Sequence, residues 1–259
     1  LLVLYEESKE KIFKSLEKIK NFKIIIIDNN GDRKLKKVIE SKYQIEKYFL
    51  SKNNLGYSKG YNKALSFCNT EFIFIKNADC FIEEKDVIKL YEFINVHQDC
   101  GIVSPTSYDE NGNLTYNGGL LPENEKSKET LNISGDVCVQ KVLGAAMFMR
   151  TEDIKKIGMF NENLFIYFSD DDLCKKIRNI GKFIAQIYIS KSSHTHGISK
   201  VKNVFKKIYL RELYFTLDEL IYFNNINNIK YYDLKSKMVN YLIKTLTNLI
   251  TFNISKFLK

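Results

Sequence analysis

The sequence predicts an α/β fold, a largely parallel sheet with helices on both faces. Two observations carry that reading. Short runs of β-branched and aromatic residues alternate with stretches of helical periodicity over the first hundred residues, and such alternation builds parallel sheets through crossover helices. The run Ile24-Ile25-Ile26-Ile27 has no polar residue at alternate positions, as expected of a strand covered on both faces. With 259 residues, 44% of them hydrophobic, the chain has material for a sizeable core.

The elements follow in order from local patterning. A strand at residues 1–5 is followed by a helix at about 8–20, the isoleucine strand at 23–28 and a helix around 33–40. A strand near 47–51, a helix near 58–68, a strand at 71–77 and a helix near 84–96 continue the alternation. Residues 101–104 read as a fifth strand, after which Asp109-Glu110-Asn111-Gly112-Asn113 and Asn117-Gly118-Gly119 supply turn and hairpin chemistry. Residues 122–134 are polar and are expected to form a mobile loop able to close over a ligand. Order returns with a strand at 142–150, a short helix at 151–157, a Phe-rich loop, and a helix at about 170–179 stopped by Gly181. A strand at 183–189 completes a domain read as residues 1–199. Two amphipathic helices, about 201–223 and 231–258 with an Asn-rich break at 224–228, form an extension over 200–259.

Composition narrows the function classes. Five scattered cysteines, with no C-x-x-C pair and an odd total, suggest neither a zinc site nor a disulfide framework, and a reducing cytoplasm is the expected compartment. The longest apolar run, residues 142–149, falls far short of the ~20 residues a spanning helix needs. No signal peptide precedes the first strand; the opening on Leu1-Leu2-Val3 suggests a trimmed methionine or short leader. The net charge of +9 is concentrated in residues 200–259, where eleven Lys/Arg against four Asp/Glu leave +7. Such a charge suits an anionic membrane surface, a polyanionic acceptor or nucleic acid, and the tail's apolar positions suit packing on the catalytic domain or self-association into a homodimer ahead of membrane contact; a solvated basic face is the plain alternative. Nucleic acid is not the expected partner.

Several positions carry chemistry. Asp28-Asn29-Asn30 ends the isoleucine strand at its carboxyl edge, where open α/β sheets bind ligands, and can pair with a nucleobase or ribose; the same letters also make an ordinary turn. Residues Asn54 to Asn62, Asn-Leu-Gly-Tyr-Ser-Lys-Gly-Tyr-Asn, open a helix after a strand, where free N–H groups meet phosphate, although capping by Ser58 explains them equally. They lack the G-x-G-x-x-G spacing that a dinucleotide oxidoreductase needs. Strand 71–77 runs out onto Asn77-Ala78-Asp79, a carboxylate placed to anchor a divalent cation and diphosphate, or simply a turn residue. Ser169-Asp170-Asp171-Asp172 precedes a helix; Ser169 suits an N-cap with Asp172 at N3, and one carboxylate of the run suits a general base. His194 and His196 follow a strand as candidate metal ligands or exposed loop histidines.

Taken together and in order, these blocks resemble family 2 glycosyltransferases, most closely the rhamnosyltransferase-like branch. They are Ile27-Asp28-Asn29-Asn30, Asn54-x-Gly56-x-x-x-Gly60-x-Asn62, Asn77-x-Asp79, Ser104-Pro105 with Asn111-Gly112, Gly144-Ala145-Ala146-Met147, Ile157-Gly158-Met159-Phe160-Asn161-Glu162, Tyr167-Phe168-x-Asp170-x-Asp172-Leu173-Cys174 and His194-x-x-Gly197-x-Ser199. The resemblance covers about residues 1–199 and implies the GT-A fold. It implies a donor pocket using Tyr5, Asp28 and Asn30, with Gly60, Asn62 and Asn77 nearby. Asp79 would stand for the last Asp of the family's D-x-D as a ligand of Mn²⁺ or Mg²⁺, with His194 a second ligand. Asp170 would be the general base, with Asp172 the next candidate, and Gly144-Ala145-Ala146 a strand floor of small residues. Two departures matter: Ser169 stands where many relatives have Glu, and Asn77 where the first Asp of D-x-D would be.

The activity so implied is inverting transfer of a rhamnose or hexose-type sugar from a nucleotide-diphosphate donor, dTDP- or UDP-linked. The acceptor would be a glycan or lipid-linked oligosaccharide in cell-surface polysaccharide synthesis, reached from the cytoplasm or the inner membrane face. A sugar-1-phosphate nucleotidyltransferase should carry a Gly-rich basic loop after the first strand, where this chain has Tyr5-Glu6-Glu7-Ser8. A non-catalytic nucleotide- or glycan-binding relative is the other alternative, kept open by Ser169.

Overall fold

A computed structural model describes residues 1–109, 111–115, 118–125, 135–194 and 204–224, with Val239 and Ile243. The expected helix at 231–258 apart from Val239 and Ile243, the Asn-rich break beyond residue 224, most of the polar loop 122–134, and His196 lie outside the described residues. Two compact units are present: Leu1–Phe165 with Ser169–Val201, and Ile166–Phe168 with Lys202–Lys259.

In the first unit, strands β1 (Leu2–Leu4), β2 (Ile24–Asp28) and β3 (Ile45–Leu50) pair in parallel with β2 between the others. Helices α1 (Lys9–Glu17), α2 (Arg33–Lys42) and α3 (Gly56–Leu65) punctuate them. Strand β4 (Phe72–Lys76) continues beyond β1, with Lys76 N–H donating to Leu1 O at 3.2 Å. The second half contains β5 (Cys80–Ile82), β6 (Cys100–Tyr108), β7 (Gly118–Gly119), β8 (Val137–Val139), β9 (Lys141–Val142), β10 (Ala146–Arg150) and β11 (Phe183–His194), with helices α4 (Glu84–Val96), α5 (Thr151–Lys156) and α6 (Ser169–Asn179). Its order is β4-β10-β6-β11-β5; β8 pairs with β11, and β7 with β9.

The isoleucine run shows why this sheet forms. Ile24 and Ile26 pack with Leu16, Ile39 and Val87 on one face, while Ile25 and Ile27 pack with Tyr61, Leu65 and Ile154 on the other. Successive strand residues point to opposite faces, so four apolar residues in a row serve both helical layers. Each fully buried isoleucine contributes roughly 1.5–3 kcal/mol, which fixes β2 in the middle of its trio.

The sheet departs from the expected largely parallel arrangement in its second half. Strand β10 runs antiparallel to both β4 and β6, and among the described residues no α-helix lies between β6 and β10. The strand expected at 142–150 is interrupted at Leu143-Gly144-Ala145, between β9 and β10. Strand β11 extends past residue 189 to His194, shifting register between Ile187 and Lys191, and its polar last residues are bordered by β6 and β5. Those polar residues hid the extension from periodicity. Helix α3 starts at Gly56, with φ +74°, so Ser58 is a buried helical residue rather than a cap.

In the second unit, α7 (Val204–Asn224) carries Asp218, whose Oδ2 accepts the backbone N–H groups of Ile166 and Tyr167, both at 2.9 Å. Phe168 stacks on Tyr222 at 5.2 Å. No helix among the described residues is long and apolar enough to cross a membrane.

Candidate active site

The candidate residues gather where β1, β2 and β4 end and β10 begins. At the end of β2 the Asp28 carboxylate is wholly buried: Oδ1 accepts Asn30 N–H at 2.8 Å, and Oδ2 accepts Asp32 N–H at 3.2 Å and the Tyr48 hydroxyl at 2.9 Å. Asp28 thus closes the turn that presents Asn30, which is exposed. Asn29 is buried as well, accepting Leu55 N–H and donating to Gly56 O. This ties the β2 edge to the start of α3.

Beyond β1, Tyr5 is exposed and its N–H donates to Glu7 Oε2 at 2.5 Å across Glu6, whose φ of +61° forms the tight turn. Burial pushes the Glu7 carboxyl up to about 7, and the negative charges of Asp79 and Asp28 add to the rise. Glu7 therefore belongs to the carboxylate surroundings of this edge. Sequence reading used it only as an acidic loop; its charged neighbours come from other strands.

Helix α3 packs against β1 and β2 behind this edge. A Cβ on Gly60 would stand 2.9 Å from Val3 Cγ1, so its small size lets α3 approach β1. Asn62 is buried, donating to Phe160 O at 3.0 Å and Glu162 Oε1 at 3.1 Å and accepting Phe160 N–H at 3.0 Å. Two sequence blocks far apart in the chain are thereby bracketed together, and Asn62 acts through that bracket rather than as a pocket surface. The Tyr61 hydroxyl donates to Lys76 O at 2.9 Å, steadying the end of β4.

Beyond β4, Asn77 N–H donates to Ala145 O at 3.0 Å. Asp79 Oδ1 lies 3.2 Å from His194 Nε2, both side chains largely buried. The β11–β5 ladder sets this meeting, since His194 pairs in register with Cys80. A carboxylate oxygen and an imidazole nitrogen so close, at a sheet edge, are chemically suited to share a divalent ion. Lys76, next along β4, is buried with its Nζ on Ser15 Oγ and on Asn77 O; burial lowers its pKa to about 8.

Helix α6 provides the remaining carboxylates. Ser169 is helical and wholly buried, accepting a hydrogen bond from the Ser58 hydroxyl at 2.9 Å, so the expected cap pairing of Ser169 with Asp172 is absent. Asp172 instead pairs with Lys176 at 2.8 Å, one turn along. Asp171 pairs with Lys141 at 3.0 Å; burial, with neighbouring Asp170, raises its pKa against the pull of that lysine. Asp170 faces the β9–β10 break, where its Oδ2 accepts Gly144 N–H at 2.7 Å. The small-residue segment is therefore a strand interruption rather than a floor of regular strand.

Gly144 is closely surrounded: a Cβ there would stand 2.2 Å from the Tyr57 hydroxyl and 3.3 Å from Asp170 Cβ. Gly144→Ala is expected to push these groups apart; if Asp170 is the general base that the sequence resemblance implies, turnover would fall by on the order of 10²-fold, since displacing a catalytic group by about 1 Å has that effect. Steady-state kinetics beside a melting curve checks it; a folded variant with unchanged turnover would contradict the arrangement.

Comparison with known proteins gives a consistent picture. The family model described as glycosyl transferase family 2 matches residues 5–158. The low-salt glycan biosynthesis hexosyltransferase of Haloferax volcanii is 24% identical over 215 residues, 73% of this chain and 67% of the relative. Among solved structures, GalNAc-T7 with UDP, GalNAc and Mn²⁺ superposes with a TM-score of 0.60 at 14% identity, over 85% of this chain and 47% of that one. The mannosyltransferase of Pyrobaculum calidifontis with GDP-Man and Mn²⁺ gives 0.55 at 11% identity, over 84% of this chain and 61% of that one. The chain thus spans about half to three fifths of these structures, and the likeness shows the GT-A fold.

Proposed function

The chain belongs to glycosyl transferase family 2, and from that premise we propose that it transfers a hexose-type sugar from a nucleotide-diphosphate donor to a hydroxyl of a glycan or lipid-linked acceptor, inverting the anomeric carbon. The observation that carries this reading is the convergence of two chemistries on one sheet edge. Asp79 and His194 meet at 3.2 Å, and Asn77, two residues before Asp79, donates to Ala145 beside the Gly144 that binds Asp170.

Asp79 and His194 are the residues that would hold Mn²⁺ or Mg²⁺. Among the described residues no third His, Cys, Asp or Glu completes a cluster with them, and diphosphate oxygens and water would supply the further ligands of an ion held there. When bound, the ion supplies charge neutralisation for the departing diphosphate. Tyr5 and Asn30 contact the nucleoside, while Asp28, Gly60, Asn62 and Asn77 shape the edge behind them. Asp170 accepts the proton of the acceptor hydroxyl as that oxygen bonds to the anomeric carbon. The carbon's bond to the diphosphate oxygen breaks on the opposite face, and the electron pair leaves with the diphosphate. One displacement inverts the centre without a bond to the protein, so the protein's contribution is positioning and proton removal.

The nucleotides and Mn²⁺ named with the two solved neighbours support a nucleotide-sugar donor and a divalent ion here. A dTDP- or UDP-linked sugar is the donor in this reading. The +7 charge of residues 200–259 supports action at an anionic membrane surface, where lipid-linked acceptors lie.

Thermal melting with UDP-glucose, UDP-N-acetylglucosamine, GDP-mannose and dTDP-rhamnose, with and without MnCl₂, tests the reading. A donor at a hundred times its Kd adds about 2.7 kcal/mol to the native state, which corresponds to roughly 5–10 °C for a domain of this size. At least one donor should raise Tm only when MnCl₂ is present; a panel giving no shift with MnCl₂ would defeat it.

A further inference from the structure

We infer that Tyr57 is a positioning residue for Asp170, setting the base's carboxylate through both polar groups of Gly144. The inference rests on the proposed role of Asp170. The Tyr57 hydroxyl donates to Gly144 O at 2.7 Å, and Gly144 N–H donates to Asp170 Oδ2 at 2.7 Å. Gly144 is thus gripped from one side by the phenol and from the other by the carboxylate.

The grip matters because Gly144 stands outside the strand ladders. The β7–β9 pairing ends with Val142 opposite Gly118, and β10 begins with Ala146 opposite Lys76. No ladder therefore fixes the Gly144 peptide groups, and in its place two side chains do so. The glycine is also the only residue type that fits, as the contact of a Cβ with the Tyr57 hydroxyl shows.

Tyr57 is itself held rigidly. Its ring meets Tyr61 and Phe160 edge-on at centroid distances of 4.5 and 5.5 Å, and its N–H donates to Phe165 O at 2.6 Å. Burial keeps the phenol protonated, raising its pKa well above the ordinary value. Ser58, the next residue, reaches Ser169 beside the base. The start of α3 is therefore a template against which the start of α6 and the β9–β10 break are set, and the Tyr57 hydroxyl is the part of it that reaches Gly144.

Tyr57→Phe removes only that hydroxyl and keeps the ring packing, so the fold and the donor site should persist. Hydrolysis of whichever panel donor the wild type accepts, with MnCl₂, is expected to show kcat lowered about 10-fold and donor KM within about 2-fold of wild type, because the lost contact orients a base and binds no donor. Adding Tyr57→Phe to Asp170→Asn should lower kcat no further, as the two act through one carboxylate. Hydrogen exchange of the 142–147 amides should quicken in Tyr57→Phe, a readout independent of turnover. Unchanged kcat in Tyr57→Phe, a further 10-fold loss in the double variant, or unchanged exchange would each overturn the inference. Absence of hydrolysis in the wild type would overturn it together with the reading on which it rests, whereas an active wild type with an unaffected Tyr57→Phe overturns the inference alone.

Discussion

Asp79→Ala should weaken Mn²⁺-dependent binding of a nucleoside diphosphate by on the order of 10²-fold or more and reduce turnover at least as much. Outer-shell partners alone are worth about 10–100-fold, and a directly ligating carboxylate is worth no less. Two features make the effect large here. Asp79 and His194 are the two candidate donors that converge at this edge, and among the described residues no cluster of three offers a substitute. Asp79 is also the charged member of the pair, so its loss removes both a ligand and the negative charge facing the cation. His194→Ala should cost less, about 10-fold or more, since it removes a neutral ligand. Titration calorimetry of UDP in the presence of MnCl₂, with the metal-free titration as baseline, measures each effect. Wild-type affinity in Asp79→Ala would place the metal elsewhere, and the D-x-D correspondence of Asn77 and Asp79 would fall with it.

Much of this edge could be read from sequence because its key residues end strands. Asp28 ends an apolar strand and Asp79 lies three residues beyond another, and residues at or just past a strand's end come out at a sheet edge whatever the details of pairing. The resemblance implied His194 as a second ligand beside Asp79, but the residues alone did not show that the two meet, since the contact depends on the register of a three-residue strand, β5, beside the polar end of β11. The roles of Asp28 and Asn62 were the hardest to foresee. Both were expected near the donor, but their polar atoms are engaged by Tyr48, Asp32, Phe160 and Glu162, contacts that require strands and loops far apart in sequence to be in place. Tyr57 and Ser58 were missed for the same reason: each looks like a helix-start residue, and each acts through a hydrogen bond to a residue more than eighty positions away. Apolar period reports burial, whereas polar engagement is decided by tertiary neighbours.

Ser169 has a structural partner, the Ser58 hydroxyl. Where the family resemblance implies a Glu, Ser169 is wholly buried and bonded to Ser58, so it joins α6 to α3 instead of offering a carboxylate. In the proposed reaction, proton acceptance would then fall to its neighbours, and these differ in what they touch. Asp171 is paired with Lys141 and Asp172 with Lys176, each drawn toward a lysine. Asp170 has no lysine partner among the ion pairs of the described residues, and its Oδ2 is held by a backbone N–H at 2.7 Å. An N–H donor orients a carboxylate while leaving its other lone pairs to meet a hydroxyl.

Asp170→Asn should accordingly leave the fold and donor affinity near those of wild type while lowering turnover by about 10²–10⁴-fold, the range a general base supplies. That range corresponds to roughly 3–5.5 kcal/mol of lost transition-state stabilisation. The substitution keeps the side chain's shape and an oxygen able to accept Gly144 N–H, so the β9–β10 break has reason to stay in place. What is lost is the capacity to take a proton. Asp172→Asn, by contrast, keeps the side chain's shape and loses one charge-assisted i,i+4 contact with half-buried Lys176, and should change turnover by less than about 3-fold, since such pairs contribute only a few tenths of a kcal/mol. The comparison is made with kcat and donor KM for each variant, because an effect confined to kcat marks a group acting in the transition state, whereas equal changes in binding mark a donor contact. Full turnover in Asp170→Asn, or a loss shared equally by donor binding and turnover, would assign the proton to another group. A large kcat defect in Asp172→Asn alone would identify that group as Asp172.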